Sequence, residues 1–269
     1  MTPSSAQKSL AVVTGASSGL GMNFARQLAA AGCDLMLIAR RKNVLDSLKE
    51  ELEKQFSISV ESVQADLSKL DDIRMVEEKI AQAKNVLFMI NNAGFGVEGV
   101  FPDIDVEKNT DMITVHCIAT MRLSRAAMVS MKENRKGYII NVASVAGFLA
   151  GQGAVDYCAT KAFVISFSRS LQCDGSPHGI HVQALCPGFV RTGFHDTEAM
   201  ADSPVKKMYP DFFWLRADWV VRKSLAQVRQ NWCRRVAYIP SLLYKIVVFF
   251  SGSRILAPLR VLFGGGKVR

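Results

Sequence analysis

The chain has 269 residues, 49% of them hydrophobic, with 33 Lys or Arg against 24 Asp or Glu and a formal net charge of +9. That suffices for one substantial core, and an α/β sheet of this size is usually one domain. The charge raises nucleic acid as a partner, but no basic face with base-contacting elements is visible, so that class is set aside.

The first ten residues lack a basic segment followed by an apolar one, so no secretory signal is expected and the protein is placed in the cytoplasm. The six cysteines are scattered without CxxC or Cys/His metal spacing, which predicts reduced, mostly buried thiols and no metal site. No linker, low-complexity tract or internal repeat interrupts the sequence.

In chain order, Leu10-Ala11-Val12-Val13 predicts a buried parallel strand near 10–14. Thr14-Gly15-Ala16-Ser17-Ser18-Gly19-Leu20-Gly21 follows, then a helix over 19–31 with Phe24, Leu28 and Ala31 on one side. Strand, glycine-rich turn, helix is the setting in which backbone N–H groups bind a pyrophosphate, although such turns also serve as plain connections. Further strands are predicted near 34–39, 58–64, 86–91, 137–143, 180–186 and 235–239, separated by helices near 42–55, 69–83, 107–133, 156–173 and 217–231. The alternation predicts a parallel sheet covered on both faces.

The second strand ends in Ala39-Arg40-Arg41-Lys42, with no carboxylate to accept from ribose hydroxyls. A 2′-phosphate would meet a guanidinium fork there, which favours NADP(H) over the reading in which the three cations simply begin a solvated helix. Tyr157 and Lys161 lie four residues apart on a predicted helix, so the ammonium can lie beside the phenol and favour its ionised form. Ser144, at the end of the fifth strand, can hydrogen-bond the same substrate oxygen.

Thr14-Gly15-x-x-x-Gly19-x-Gly21, Asp66, Asn91-Asn92-Ala93-Gly94, Ser144, Tyr157-x-x-x-Lys161 and Pro187-Gly188-Phe189-Val190-Arg191-Thr192 occur in this order. As a set they resemble the short-chain dehydrogenase/reductase family, and within it the bacterial branch similar to long-chain 3-oxoacyl and steroid reductases. The resemblance implies a single Rossmann-fold domain with a seven-stranded sheet in the order 3-2-1-4-5-6-7, over residues 1–239, with a substrate lid at about 193–215. It implies an NADP(H) site in which Thr14, Gly15, Ser17, Ser18, Gly19, Leu20 and Gly21 form the phosphate loop. Ser17 and Arg40 would hold the 2′-phosphate, Asp66 would accept from the adenine amino group, and Arg41, Leu67, Asn92, Ala93 and Gly94 would belong to the same cofactor site. Tyr157 and Lys161 would meet the nicotinamide ribose, and Pro187, Gly188, Val190 and Thr192 the carboxamide. Tyr157 would be the general acid/base, Ser144 would polarise the carbonyl, and the enzyme would be a dimer or tetramer.

One position departs from that pattern. His116 stands where similar proteins have an Asn that supports a water chain to the lysine, so it is either a titratable relay member or a tolerated space-filler. It also leaves open a cofactor-sensing or scaffold protein without turnover.

Phe194, Met200, Met208, Tyr209, Phe212, Phe213 and Trp214 suit a large hydrophobic ketone or alcohol, or equally a lid packing on its own domain. Residues 216–269 hold eleven cations and the single acid Asp218, so this stretch carries +10 and the rest of the chain is nearly neutral. Residues 240–269 contain two apolar runs, each too short and too interrupted to span a bilayer. A peripheral contact with an anionic membrane, a subunit contact and a flap over the pocket all remain open for this extension.

Overall fold

The computed structural model of the chain describes residues 8–97, 99–150, 153–192, 210–230 and 236–251. The strands in chain order are β1 (Leu10–Thr14), β2 (Asp34–Ala39), β3 (Val60–Gln64), β4 (Val86–Asn91), β5 (Gly137–Val142), β6 (Ile180–Leu185), the two-residue β7 (Val190–Arg191) and β8 (Leu215–Arg216), and β9 (Ala237–Tyr238). Seven form one sheet in the order β3-β2-β1-β4-β5-β6-β9, with every pairing parallel. β7 and β8 pair with each other apart from it. The predicted strand order holds, with β9 as the seventh strand.

The helices are α1 (Gly19–Ala30), α2 (Lys42–Phe56), α3 (Leu70–Gln82), α4 (Val106–Ile113), α5 (Thr120–Glu133), α6 (Val155–Gly175), α7 (Ala217–Arg229) and α8 (Leu242–Ser251). Neighbouring strand residues point to opposite faces, and both faces are covered. Val13 and Leu37 pack with Phe24, Leu28, Leu45 and Val221 on one side, while Val12 and Ile38 pack with Ile73, Val76, Leu123 and Met131 on the other. Each such side chain, fully removed from water, contributes roughly 1.5–3 kcal/mol.

β3 starts two residues later than predicted because the Ser59 amide donates to the Asp34 carboxylate at 2.8 Å. The helix predicted over 107–133 is continuous but contains a π-helical turn, Thr114–Ala119, between α4 and α5. Such a turn adds a residue to the winding and is frequent at functional sites. It carries His116.

A buried polar chain fixes the helices that bear the chemistry. Asn91 on β4 donates to Ser124 of α5 at 2.9 Å and to Asn141 of β5 at 2.8 Å, and Asn141 donates to Ser168 of α6 at 2.9 Å. Asn141, Ser124 and Ser168 have no solvent exposure. Unpaired, each would be costly at this depth, so the network sets the position of α5 and α6 against the sheet.

The lid residues Gly193, Phe194, Met200, Met208 and Tyr209, the start of the last predicted strand and the apolar run at 255–263 lie outside the described residues. Among the described residues, no helix is long and apolar enough to cross a membrane.

Candidate active site

The phosphate loop sits between β1 and α1 at the carboxyl ends of the strands, where open α/β sheets place their ligands. Thr14 is the hub of its floor. Its hydroxyl accepts from the amides of Asn92 at 2.9 Å and Ala93 at 3.0 Å, and Asn92 Nδ2 donates back to the Thr14 carbonyl at 2.9 Å. Gly15, at φ +63°, leaves no room for a side chain, since a β-carbon would stand 2.8 Å from Asn92 Nδ2. A β-carbon at Gly21 would collide with the Gly15 carbonyl. Ser18 caps α1 without a side-chain hydrogen bond, and no acid lies in the first turn. Bare backbone, a helix N-terminus and no competing carboxylate together fit a dinucleotide pyrophosphate.

At the end of β2 the structure brings Arg41, rather than Arg40, onto Ser17. The Arg41 guanidinium donates to Ser17 Oγ at 3.0 and 3.2 Å and to the Ser17 carbonyl at 3.0 Å. Arg40 is exposed, and its carbonyl accepts from Gln64 Nε2 at 3.2 Å. Adjacent residues in an extended stretch point to opposite sides, so only one of the pair turns toward the loop. Asp66 is partly buried, with Oδ1 accepting from the Ser68 amide at 3.1 Å; Leu67 is buried beside it.

The reacting centre is built from β5, the π-helical turn and α6. Ser144 closes β5 in extended conformation, and its hydroxyl accepts from the Ala146 amide at 3.1 Å. The short turn after it packs directly on α6. A β-carbon at Gly147 would stand 2.7 Å from the Lys161 carbonyl carbon, so this glycine sets the closeness of the Ser144 segment to the Tyr157–Lys161 helix. The Lys161 ammonium donates to the Val142 carbonyl at 3.1 Å and lies 5.6 Å from the centre of the Tyr157 ring. It is 6% exposed, and burial lowers its pKa from 10.5 to about 8, with the nearby Cys117 and Cys186 pulling slightly the other way.

His116 is 1% exposed and reaches this cluster. Its ring stands edge-on to Tyr157 at 5.9 Å between centroids, and Nδ1 lies 2.9 Å from the Thr160 hydroxyl. That hydroxyl donates to the Tyr157 carbonyl at 3.0 Å. Its oxygen therefore accepts from Nδ1–H, which leaves Nε2 as a bare acceptor. Among the described residues Nε2 has no hydrogen-bond partner. A β-carbon on Gly94 would lie 2.7 Å from Nε2 and 3.7 Å from the Lys161 nitrogen, so the two share one small space under Gly94. Burial, and then the Lys161 charge, hold His116 well below its usual pKa and keep it neutral.

The Pro187–Thr192 loop leaves β6 beside Ser144, with the Val145 amide donating to the Pro187 carbonyl at 3.0 Å. Tyr244 of α8 packs against this loop with 2% exposure. Its hydroxyl accepts from the Phe189 amide at 3.0 Å and donates to the Phe213 carbonyl at 2.9 Å. Thr160, Gly147 and Tyr244 are the site residues that sequence reasoning missed. The first two sit beside named residues without a chemical signature of their own, and the Tyr244 partner is 55 positions away.

The family model for short chain dehydrogenases matches residues 9–202. The very-long-chain 3-oxoacyl-CoA reductase-A of Danio rerio is 32% identical over 188 residues, which is 68% of this chain and 58% of that protein. This chain spans less than two thirds of the length of that and similar curated relatives. Among solved structures, a short-chain dehydrogenase from Sphingobium yanoikuyae in complex with NADPH is 31% identical with a TM-score of 0.79, covering 93% of this chain and 95% of that one. The bulky-bulky ketone specific alcohol dehydrogenase from Comamonas testosteroni is 29% identical with a TM-score of 0.76, covering 87% and 86%.

Proposed function

The chain belongs to the short-chain dehydrogenase family, and on that premise we propose that it is an NADP(H)-dependent oxidoreductase interconverting a hydrophobic ketone and its secondary alcohol, with Tyr157 as general acid/base. The observation that carries the reading is a buried lysine whose ammonium donates to the Val142 carbonyl and lies beside the Tyr157 ring, with Ser144 next to the same helix through Gly147. A buried ammonium is expensive, and placing it beside a phenol is how a proton donor is tuned for a carbonyl oxygen.

Bound NADPH supplies the hydride. Ser144 donates a hydrogen bond to the carbonyl oxygen and orients it, Tyr157 delivers the proton, and Lys161 stabilises the phenolate that remains. His116 then supports Lys161: its neutral Nε2 offers a hydrogen-bond acceptor to the ammonium side of the cluster, in place of the amide the family usually has there, while both side chains keep their protonation states. His116→Leu keeps volume but removes the acceptor. It is expected to lower turnover about tenfold, the equivalent of roughly 1.4 kcal/mol, with NADPH affinity unchanged; full turnover in that variant would reduce His116 to packing.

The NADPH complex of the Sphingobium relative supports the choice of cofactor, as does the Ser17–Arg41 pair. A guanidinium already aligned on a hydroxyl offers a 2′-phosphate a charge-assisted fork. Arg41→Ala is therefore expected to lower the NADPH-over-NADH preference at least about tenfold, and Arg40→Ala to change it less. The reverse ranking in binding titrations would move the phosphate to Arg40.

A hydrophobic substrate is supported by the relatives named for 3-oxoacyl-CoA and bulky ketones. It is supported also by Val100, Phe101, Val155 and Phe212, each about half exposed or more and all in segments that follow the carboxyl ends of β4, β5 and β7. A lipid-like acyl or steroid ketone suits such a mouth.

The C-terminal segment adds a membrane proposal. On α8 the exposed Leu242, Ile246 and Phe249 share the face opposite the buried Tyr244, within a segment of the chain that carries +10. An apolar stripe among cations suits the surface of an anionic bilayer. The full chain is expected to sediment with anionic vesicles in a salt-sensitive way, and a Leu242→Ser, Ile246→Ser, Phe249→Ser variant to remain in solution. If the full chain ignores the vesicles and only its oligomeric state responds to the substitutions, the stripe is a contact between subunits.

A further inference from the structure

We infer that Tyr244, from the C-terminal helix, is a positioning residue for the nicotinamide half of the cofactor site, acting through the Pro187–Phe189 loop. The inference rests on the reading of that loop as the carboxamide holder.

Three contacts converge on this one side chain. Its ring lies flat on Gly188, so closely that a β-carbon there would overlap it; the three atoms nearest that point all belong to the Tyr244 ring. Its hydroxyl takes the Phe189 amide as donor at 3.0 Å and gives its own proton to the Phe213 carbonyl at 2.9 Å. Its ring also meets Phe189 and Phe213 edge-on, at 6.3 and 6.2 Å between centroids. Phe213 lies in the short turn Asp211–Phe213, just before β8 pairs with β7 of the same loop. Phe189 in turn stacks on Trp214 at 5.2 Å.

A loop between a strand end and a two-residue ladder has few backbone bonds of its own to hold it. Here a phenol from α8 supplies the partner for one of its amides and a rigid plate against its glycine, and it joins both to the Asp211–Phe213 turn. A loop held in one conformation binds its ligand without an ordering cost; a freed loop must be ordered by the ligand. Gly188 and Tyr244 thus form a matched pair: the missing side chain at 188 is the space the ring occupies.

Binding to two ligands separates this role from a general loss of fold. NADPH and 2′-phospho-ADP-ribose share the adenine, 2′-phosphate and pyrophosphate, but only NADPH has the nicotinamide. Tyr244→Ala is expected to weaken NADPH at least about tenfold while leaving 2′-phospho-ADP-ribose within about twofold. Tyr244→Phe keeps the plate and loses the bridge, so it should fall between, at about three- to fivefold, in line with one hydrogen bond. Gly188→Ala should copy Tyr244→Ala, and adding Tyr244→Ala to it should cause no further loss because the clash is gone. Equal weakening of both ligands, or NADPH binding unchanged in Tyr244→Ala, overturns the inference. Failure of the unaltered protein to bind NADPH at all overturns instead the reading beneath it.

Discussion

Replacing Tyr157 with Phe is expected to reduce turnover about a thousandfold, within the range that a positioned general acid contributes, while NADPH affinity stays within about twofold. The ring remains, so its edge contact with His116 and its place beside Lys161 are kept. Only the proton is lost. The check is a pair of measurements on one preparation, steady-state turnover with any ketone the unaltered protein accepts and a direct titration with NADPH. If turnover survives, Ser144 or a solvent molecule is the acid and the proposed assignment fails.

Lys161→Met is expected to move activity and stability in opposite directions. Lys161 holds its proton up to pH 10.5 when unfolded but only to about 8 when folded, because its site is buried. Between those values the unfolded chain binds more protons, so stability rises with pH across that window. Below about pH 8 the folded protein carries the whole burden of a buried ammonium, an upper figure of about 3 kcal/mol at 1.36 kcal/mol per unit. Removing the charge also forfeits the bond to the Val142 carbonyl, roughly 1 kcal/mol. The variant without cofactor should therefore be more stable by about 2 kcal/mol at pH 7, or roughly 4–8 °C in Tm. That gain should vanish above pH 10.5, where both states of the lysine are neutral. Turnover should drop at least about a hundredfold. A variant less stable than the parent at pH 7 would mean that the ammonium is well solvated or paired where the geometry has it buried.

The fold was legible because its signals are local. Buried parallel strands announce themselves as runs such as Leu35-Met36-Leu37-Ile38, and the sheet order follows once the glycine loop and the Tyr157–Lys161 pair identify the family. Ser144, Tyr157 and Lys161 were recognisable from residue type and spacing, His116 only as a departure from the family pattern, and the structure brings them to one end of the sheet. What was not legible depends on small angles and distant partners. Whether Arg40 or Arg41 turns toward Ser17 is decided by a single residue of register at the end of β2. The π-helical turn under His116 has no composition of its own, since Thr114–Ala119 reads as ordinary helix. Tyr244 looks like one more member of an apolar run until the fold seats it on Gly188. Its place there ties the C-terminal helix to the catalytic body.

The central claim is hydride transfer from NADPH to a hydrophobic ketone under the control of Tyr157. Its most direct test uses NADPH carrying deuterium at the transferable position of the nicotinamide, a panel of aliphatic, aromatic, steroid and acyl-thioester ketones, and mass analysis of the alcohols formed. The account predicts deuterium on the carbinol carbon of at least one product with the unaltered protein, and its near absence with Tyr157→Phe. Saturated NADPH binding with no labelled alcohol from any ketone in the panel would contradict it, and would leave a dinucleotide-binding protein that does no redox chemistry.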